Sequence, residues 1–202
     1  RGIVAPMPIQ ALALPLVLGG CDVIGLAQTG SGKTLAFLLP ALAHIEAQPE
    51  LARFSRTAIA LVLAPTRELA VQIGDEAVKV VQQSKGASSH RSGVWATCIY
   101  GGGCRRDQAR NVSWGTHILV ATPGRLVDFL TSGTVNLDRV TYFVLDEADR
   151  MLDLGFSEDV AGISARIRPE RQVLFFSATW SSSVQELALG LCHQWFPASL
   201  PS

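Results

Sequence analysis

Eight residues near the start of the chain carry the groups that a polyphosphate needs: Ala27-Gln28-Thr29-Gly30-Ser31-Gly32-Lys33-Thr34. Gly30 and Gly32 permit a backbone bend that side chains would block. The N–H groups of such a bend, backed by a helix N-terminus, point at negative charge. Lys33 adds a flexible cation for the outer phosphates, and Thr34 offers a hydroxyl to magnesium. The fit to the strict pattern is imperfect, because Ala27 stands where the first glycine is written. Far downstream, Asp146-Glu147-Ala148-Asp149 closes an apolar run, Tyr142-Phe143-Val144-Leu145. Asp146 can hold magnesium through water, since that ion dehydrates reluctantly. Glu147 can orient and deprotonate an attacking water. Taken alone, this second segment could be a solvated acidic helix start. With Lys33 upstream, the pair reads as a site for ATP and Mg2+ with hydrolysis as its chemistry.

Elements of two kinds must position these groups. Val23-Ile24-Gly25-Leu26 reads as a buried strand before the glycine-rich loop, and Leu35, Leu38, Leu39 and Leu42 follow at helical spacing. Five more apolar runs predict strands: Ile59–Leu63, Val94–Ile99, Ile118–Val120, Tyr142–Leu145 and Val173–Phe176. Helical patterns lie over Pro65–Val81, Arg105–Val112, Gly124–Leu130 and Val184–Leu191, and residues 11–18 read as a short core helix. Alternating strands and helices predict an α/β domain with a mostly parallel central sheet and helices on both faces. The acidic pair then sits at the carboxyl end of a strand, where such sheets carry their sites. Gln48–Arg56 and Ser84–Gly93 read as polar loops; in the second, Lys85, His90 and Arg91 are either solvated or able to touch RNA.

With 202 residues, 48% hydrophobic and 17% charged, the chain suits one domain whose sheet is covered on both sides. Its 17 basic and 17 acidic residues balance, so any nucleic-acid surface must be local. Cys21, Cys98, Cys104 and Cys192 form no close pair, which argues against zinc and against a disulfide framework and for reduced buried thiols in an intracellular protein. No stretch predicts a bilayer span, and nuclear or cytoplasmic residence is not encoded. A start at Arg1 without methionine suggests a fragment.

Further segments complete a pattern: Pro6-Met7-Pro8-Ile9-Gln10, Pro65-Thr66-Arg67-Glu68-Leu69-Ala70, Gly101-Gly102, Thr122-Pro123-Gly124-Arg125 and Ser177-Ala178-Thr179. With the phosphate loop and Asp146–Asp149, these resemble, in family order, the first RecA-like P-loop NTPase domain of a DEAD-box RNA helicase. The resemblance spans about residues 5 to 190. It implies that Gln10, seventeen residues before Ala27, selects ATP over GTP, since an amide can both donate to and accept from adenine. Without the family, Gln10 would read as a helix-surface glutamine. Met7 stands where the family usually has a small hydroxyl residue that caps a helix, a loss of about 1 kcal/mol that loosens the motif. The family's aromatic stacked on adenine would precede Arg1, which implies weaker adenine affinity.

The resemblance also assigns a backbone-gripping RNA face to Pro65, Thr66 and Arg67, to Gly101 and Gly102, and to Thr122, Pro123, Gly124 and Arg125. Phosphate contacts carry no base information, so binding would be independent of sequence. Taken singly, each segment is as well explained by an ordinary helix cap. Arg105 and Arg106 either add phosphate contacts or are exposed surface charge. Ser177, Ala178 and Thr179 are implied to couple to Asp149, although Thr179 or Ser181 could instead cap the next helix. Residues 1–192 are thus expected to form the helicase's first RecA-like domain and 193–202 a divergent tail. The second RecA-like domain, normally in the same chain and the source of an arginine finger, has no counterpart after Thr179. The isolated chain is expected to be nearly inactive. Three other readings stay open: a related motor acting on DNA, a single-lobe module that docks RNA or protein without catalysis, and a small-molecule kinase sharing only the phosphate loop.

Overall fold

The computed structural model describes residues 5–52, 54–83, 88–90, 93–192 and 195–199. Along the chain run α1 (Pro8–Leu18), β1 (Asp22–Leu26), α2 (Lys33–Glu46), β2 (Ala60–Leu63), α3 (Arg67–Gln83), β3 (Ala96–Ile99), α4 (Arg105–Ser113) and β4 (Ile118–Ala121). Then follow α5 (Pro123–Thr131), β5 (Tyr142–Leu145), α6 (Ala148–Asp153), α7 (Ser157–Ser164), β6 (Gln172–Ser177), α8 (Ser182–Leu191) and β7 (Trp195–Ser199). The strands form one seven-stranded sheet in the order β3-β4-β2-β5-β6-β1-β7. Each pairing is parallel, with Leu61 beside Phe143 and Val23 beside Leu174.

Side chains alternate between the two faces, as a pleated strand requires. Ala60 and Val62, Tyr142 and Val144, and Leu174 and Phe176 enter one core with α1, α2 and α3. Leu61 and Leu63, Phe143 and Leu145, and Val173 and Phe175 enter a second core with α4 to α8. Both faces are dry, which is why these strands read as unbroken apolar runs. The division follows from handedness. From β1 the chain steps across the sheet to β2 and then β3, with α2 and α3 on one face; from β3 it steps back to β7 with α4 to α8 on the other. Right-handed crossovers demand opposite faces for opposite directions.

The apolar pattern alone marks no helix over 148–153 or 157–164 and no strand over 195–199. Helices of six and eight residues are too short for their periodicity to stand out. β7 contains Pro197, which argues against a central strand, but it lies at the sheet edge, where a missing N–H is tolerated. Expected buried thiols fail at Cys104, which is exposed beside α4, whereas burial pushes the Cys98 and Cys192 thiols up to about 12. Among the described residues no helix is long and apolar enough to cross a membrane.

β1 carries one tight contact that fixes the strand under the phosphate loop. A Cβ added at Gly25 would lie 2.5 Å from the Phe176 ring, which itself packs on Phe37 at 5.8 Å between centroids. Gly25→Ala should therefore overpack this core and lower stability by about 1–3 kcal/mol. Urea unfolding checks it: a lower midpoint with the same slope is expected, and an unchanged midpoint would show that the ring yields freely.

Candidate functional site: a phosphate loop facing an acidic strand end

The loop after β1 is pinned at both ends. Ala27 donates its N–H to the Ser177 carbonyl at the end of β6 (3.0 Å), and its own carbonyl accepts from Lys33 Nζ at 2.9 Å. Gly30 and Gly32 adopt φ of 83° and 88°, conformations that side chains resist. Gln28, Thr29 and Gly30 are exposed. Gly32 precedes α2, so the first N–H groups of that helix, which lack intrahelical partners, open toward the loop.

Lys33 is only 5% exposed, and its ammonium lies 3.5 Å from Asp146 Oδ1. Asp146, 2% exposed at the end of β5, has its carboxyl pushed above the ordinary carboxylate range by burial; Lys33 opposes that push and Glu147 adds to it. Glu147 sits at φ 55° and ψ 52°, a left-handed conformation unusual for a glutamate. That turn aims its carboxylate back across the crevice, where Oε1 accepts from Thr29 Oγ1 at 2.8 Å and Oε2 lies 3.5 Å from Arg150. A backbone strained at such a point is a sign of function. Lys33, Thr29, Asp146 and Glu147 therefore meet in one crevice. Thr34 is half-buried on the first turn of α2. The Thr34 hydroxyl and Asp146 carboxylate are hard oxygen donors, the kind magnesium prefers.

Gln10 is buried, not on a helix surface. Its Oε1 accepts from the Met7 N–H (3.0 Å), and its Nε2 donates to the Gly32 carbonyl (2.9 Å). The amide thus ties the start of α1 to the phosphate loop while one lone pair and one N–H remain for a base. Met7 does more than omit a cap. A Cβ at Gly32 would lie 2.5 Å from its Sδ, so the thioether covers the end of the loop. No sequence pattern signals that contact, because it depends on how α1 folds back on α2.

Asp149 Oδ2 accepts from both the N–H and the Oγ1 of Thr179, each at 3.0 Å. Ser177 Oγ instead donates to the Thr179 carbonyl at 2.8 Å. Ser181 caps α8 through Val184 N–H, which settles the open choice: Thr179 is not the cap.

The three segments assigned to a backbone face converge at the carboxyl ends of β2, β4 and β3. Gly101 N–H donates to Thr122 Oγ1 at 3.3 Å, and a Cβ at Gly102 would lie 3.8 Å from Arg67 Nη1. Arg67 is exposed and stacks 4.9 Å over the Tyr100 ring. Thr66, Gly101, Gly102 and Gly124 are at least partly open, whereas Pro65, Thr122 and Pro123 are buried. Arg125 turns inward: its side chain is 12% exposed, donates to Gln108 Oε1 at 2.9 Å and lies 3.7 Å from Asp128. Gln108, which sequence reasoning missed, also grips both the N–H and the carbonyl of Tyr100 (3.0 and 3.1 Å), so it and Arg125 brace the glycine turn from below. His90 is not at this face. It is buried, bonded to the Ile45 carbonyl at 2.9 Å and edge-on to His117, while Lys85 and Arg91 lie outside the described residues.

The Lys33–Asp146 pair makes a test of linkage. Lys33→Ala leaves a buried carboxylate without its cation, which costs about 3–5 kcal/mol when a buried pair is broken. An acid whose folded pKa is raised binds its proton more tightly when folded, so its contribution is fully present below the ordinary carboxylate range and lost as pH rises through the folded value. The variant should lose more than the wild type in that rise. Urea midpoints of the two proteins should draw together at acidic pH and separate toward neutral pH; parallel curves would show that Asp146 does not feel Lys33.

Comparison with known proteins gives the family. The DEAD/DEAH box helicase family model matches residues 7–187. The chain is 54% identical over 187 residues to "DEAD-box ATP-dependent RNA helicase 20" of Oryza sativa subsp. japonica, covering 93% of this chain and 36% of that protein. It is 48% identical over 202 residues to "ATP-dependent RNA helicase DBP2" of Ajellomyces capsulatus, covering 100% of this chain and 36% of that protein. The crystal structure of the yeast DEAD-box splicing factor Prp28 superposes with a TM-score of 0.88 at 35% identity, over 98% of this chain and 46% of that one. The chain thus spans about a third of the length of these curated relatives. It belongs to the DEAD/DEAH box helicase family.

Proposed function

We propose that the protein carrying this chain is an RNA-dependent ATPase that opens short duplexes locally, and that this chain is its ATP-binding half. One observation carries the reading: a buried lysine, an acidic strand end and a strained glutamate converge on the phosphate loop. The same sheet edge presents a second set of open backbone turns. Relatives named as ATP-dependent RNA helicases support it.

In this reading Gln10 uses its free amide groups to select adenine, and Ala27 to Lys33 wrap the phosphates with backbone N–H groups. Lys33 exchanges the Ala27 carbonyl for phosphate oxygens. Thr34 and Asp146 would hold Mg2+, Asp146 through water; bound there, the ion would neutralise charge on the outer phosphates. Glu147 leaves Thr29 to take the proton of the attacking water. Asp149 and Thr179, with Ser177 and Ala178 beside them, carry the nucleotide state to the end of β6. Thr66, Arg67, Gly101, Gly102 and Gly124 grip successive RNA phosphates without reading bases, and Arg125 positions the glycine turn. A second RecA-like domain supplies the arginine finger, whose absence costs about 10³–10⁵ in rate.

Titration calorimetry of ADP and ATP–Mg2+ against GTP tests the base site. Adenine nucleotides should bind and GTP should not, with the preference lost in Gln10→Ala; equal binding of ATP and GTP by the wild type would overturn the assignment of Gln10. Glu147→Gln should keep ATP binding and the thermal midpoint while slow background hydrolysis falls by about 10²-fold or more. Unchanged hydrolysis would remove Glu147 from its role.

A further inference from the structure

Helix α4 begins directly after the Gly101–Gly103 turn and carries more cation than that turn uses. Arg106, Arg110 and Ser113 recur at i, i+4 and i+7 and so form one stripe down the helix. Arg105 lies on another face. Its Nε and Nη2 bind the two oxygens of Asp128 at 2.9 and 3.1 Å, and Nη2 also reaches Ser132 Oγ at 2.9 Å, which locks α4 against α5. Opposite the stripe, Arg56 donates to the Gly133 carbonyl at 3.3 Å. Between these walls lies a cavity of about 480 Å3 lined by Arg56, Arg106, Arg110, Ser113, Ser132 and Thr134.

This groove is a mismatch of charge. Among the described residues Arg106 has no ion-pair partner, and Arg110 pairs only with Asp107 at 3.1 Å, where both side chains are more than half exposed. Three guanidiniums therefore face the Asp107 carboxylate, and they are the groove's available donors, because Ser113 and Ser132 already donate to the Arg110 and Asp128 carbonyls at 2.7 and 2.9 Å. Planar forks of this kind suit phosphate oxygens. The spacing suits a strand more than a single ion, because Arg106 and Arg110 are four residues, about 6 Å, apart along the helix. Arg106, which lines the groove, follows the Gly101–Gly103 turn by three residues.

We propose that the α4–α5 groove is a phosphate track that carries single-stranded RNA beyond the Gly101–Gly103 turn toward the amino ends of the strands, with Arg56, Arg106 and Arg110 as its phosphate ligands. It rests on the RNA reading of the sheet edge given above and extends it to residues outside the family's motifs. Its consequence is an RNA footprint longer than the three backbone sites alone, read without regard to sequence.

Fluorescence anisotropy at low salt tests this, with this chain and two oligouridylates, one of about six nucleotides that spans the three sites and one about twice as long. The longer RNA should bind the wild type roughly tenfold more tightly, with a salt slope steeper by about 1.4 for two added phosphates. The double variant Arg56→Gln/Arg110→Gln should lose that increment and keep the affinity for the short RNA. Ser113→Asp, which places a negative charge in the groove without altering an arginine, should do the same and guards against misfolding of the first variant. An increment that survives both substitutions overturns the track, as does equal binding of the two RNAs by the wild type. If the wild type binds neither RNA, the RNA reading of the sheet edge itself fails, and the track falls with it.

Discussion

A lysine with almost no access to water organises the crevice between the β1 loop and the end of β5. Lys33 stands on the first turn of α2, and a buried ammonium is costly unless it is paired. Its partners come from two places: the Ala27 carbonyl at the start of the same loop and the Asp146 carboxylate at the end of β5. The loop is therefore held in shape by the protein's own groups, a carbonyl and a carboxylate. The consequences spread outward. Asp146 must end β5 level with the loop, which fixes the register of β5 against β6 and of β6 against β1. Glu147 must then turn through a left-handed conformation to face the crevice.

The topology explains why two kinds of site share one edge. β1 and β2 are the strands whose following helices pack on the α1–α3 face. Their neighbours β6, β4 and β5 send their chains to the other face. Where adjacent strands part in this way a crevice opens at their carboxyl ends. β1 opens one beside β6, holding the phosphate loop. β2 opens another beside β4, holding Thr66 and Arg67 near Gly101 and Thr122. The two crevices are joined through β5, whose Asp146 N–H donates to the Leu63 carbonyl at the end of β2 at 3.0 Å. Asp146 thus touches the strand that leads, three residues on, to Thr66, and Asp149 touches Thr179 directly.

The legible features were contiguous ones. Six of the seven strands are short apolar runs, five of them because both faces are buried while β3 at the edge is partly exposed, and the phosphate loop announces itself by glycines and a lysine in eight successive residues. Features made by distant segments meeting were hidden. Gln10 is recognisable as a residue type at an expected distance, but its bond to Gly32 and the thioether of Met7 over that glycine need the packing of α1 on α2. Arg125 reads as part of the RNA-gripping segment, yet its side chain faces Gln108 because α4 lies beside α5. His90 reads as a loop residue, yet its ring fills a gap beside Ile45. Proline masked β7, since nothing local shows which strand will lie at an edge.

The account turns on Lys33 giving up the Ala27 carbonyl for phosphate. The chain has three lysines, Lys33, Lys79 and Lys85, so the side-chain nitrogen of each can be followed by NMR after lysine labelling. A slowly exchanging Lys33 ammonium is predicted in the ligand-free protein. Its signal should move on addition of ADP or ATP with magnesium and stay in place with GTP, while that of Lys79 does not respond. A Lys33 signal unchanged at saturating ATP, or moved equally by GTP, would contradict the account.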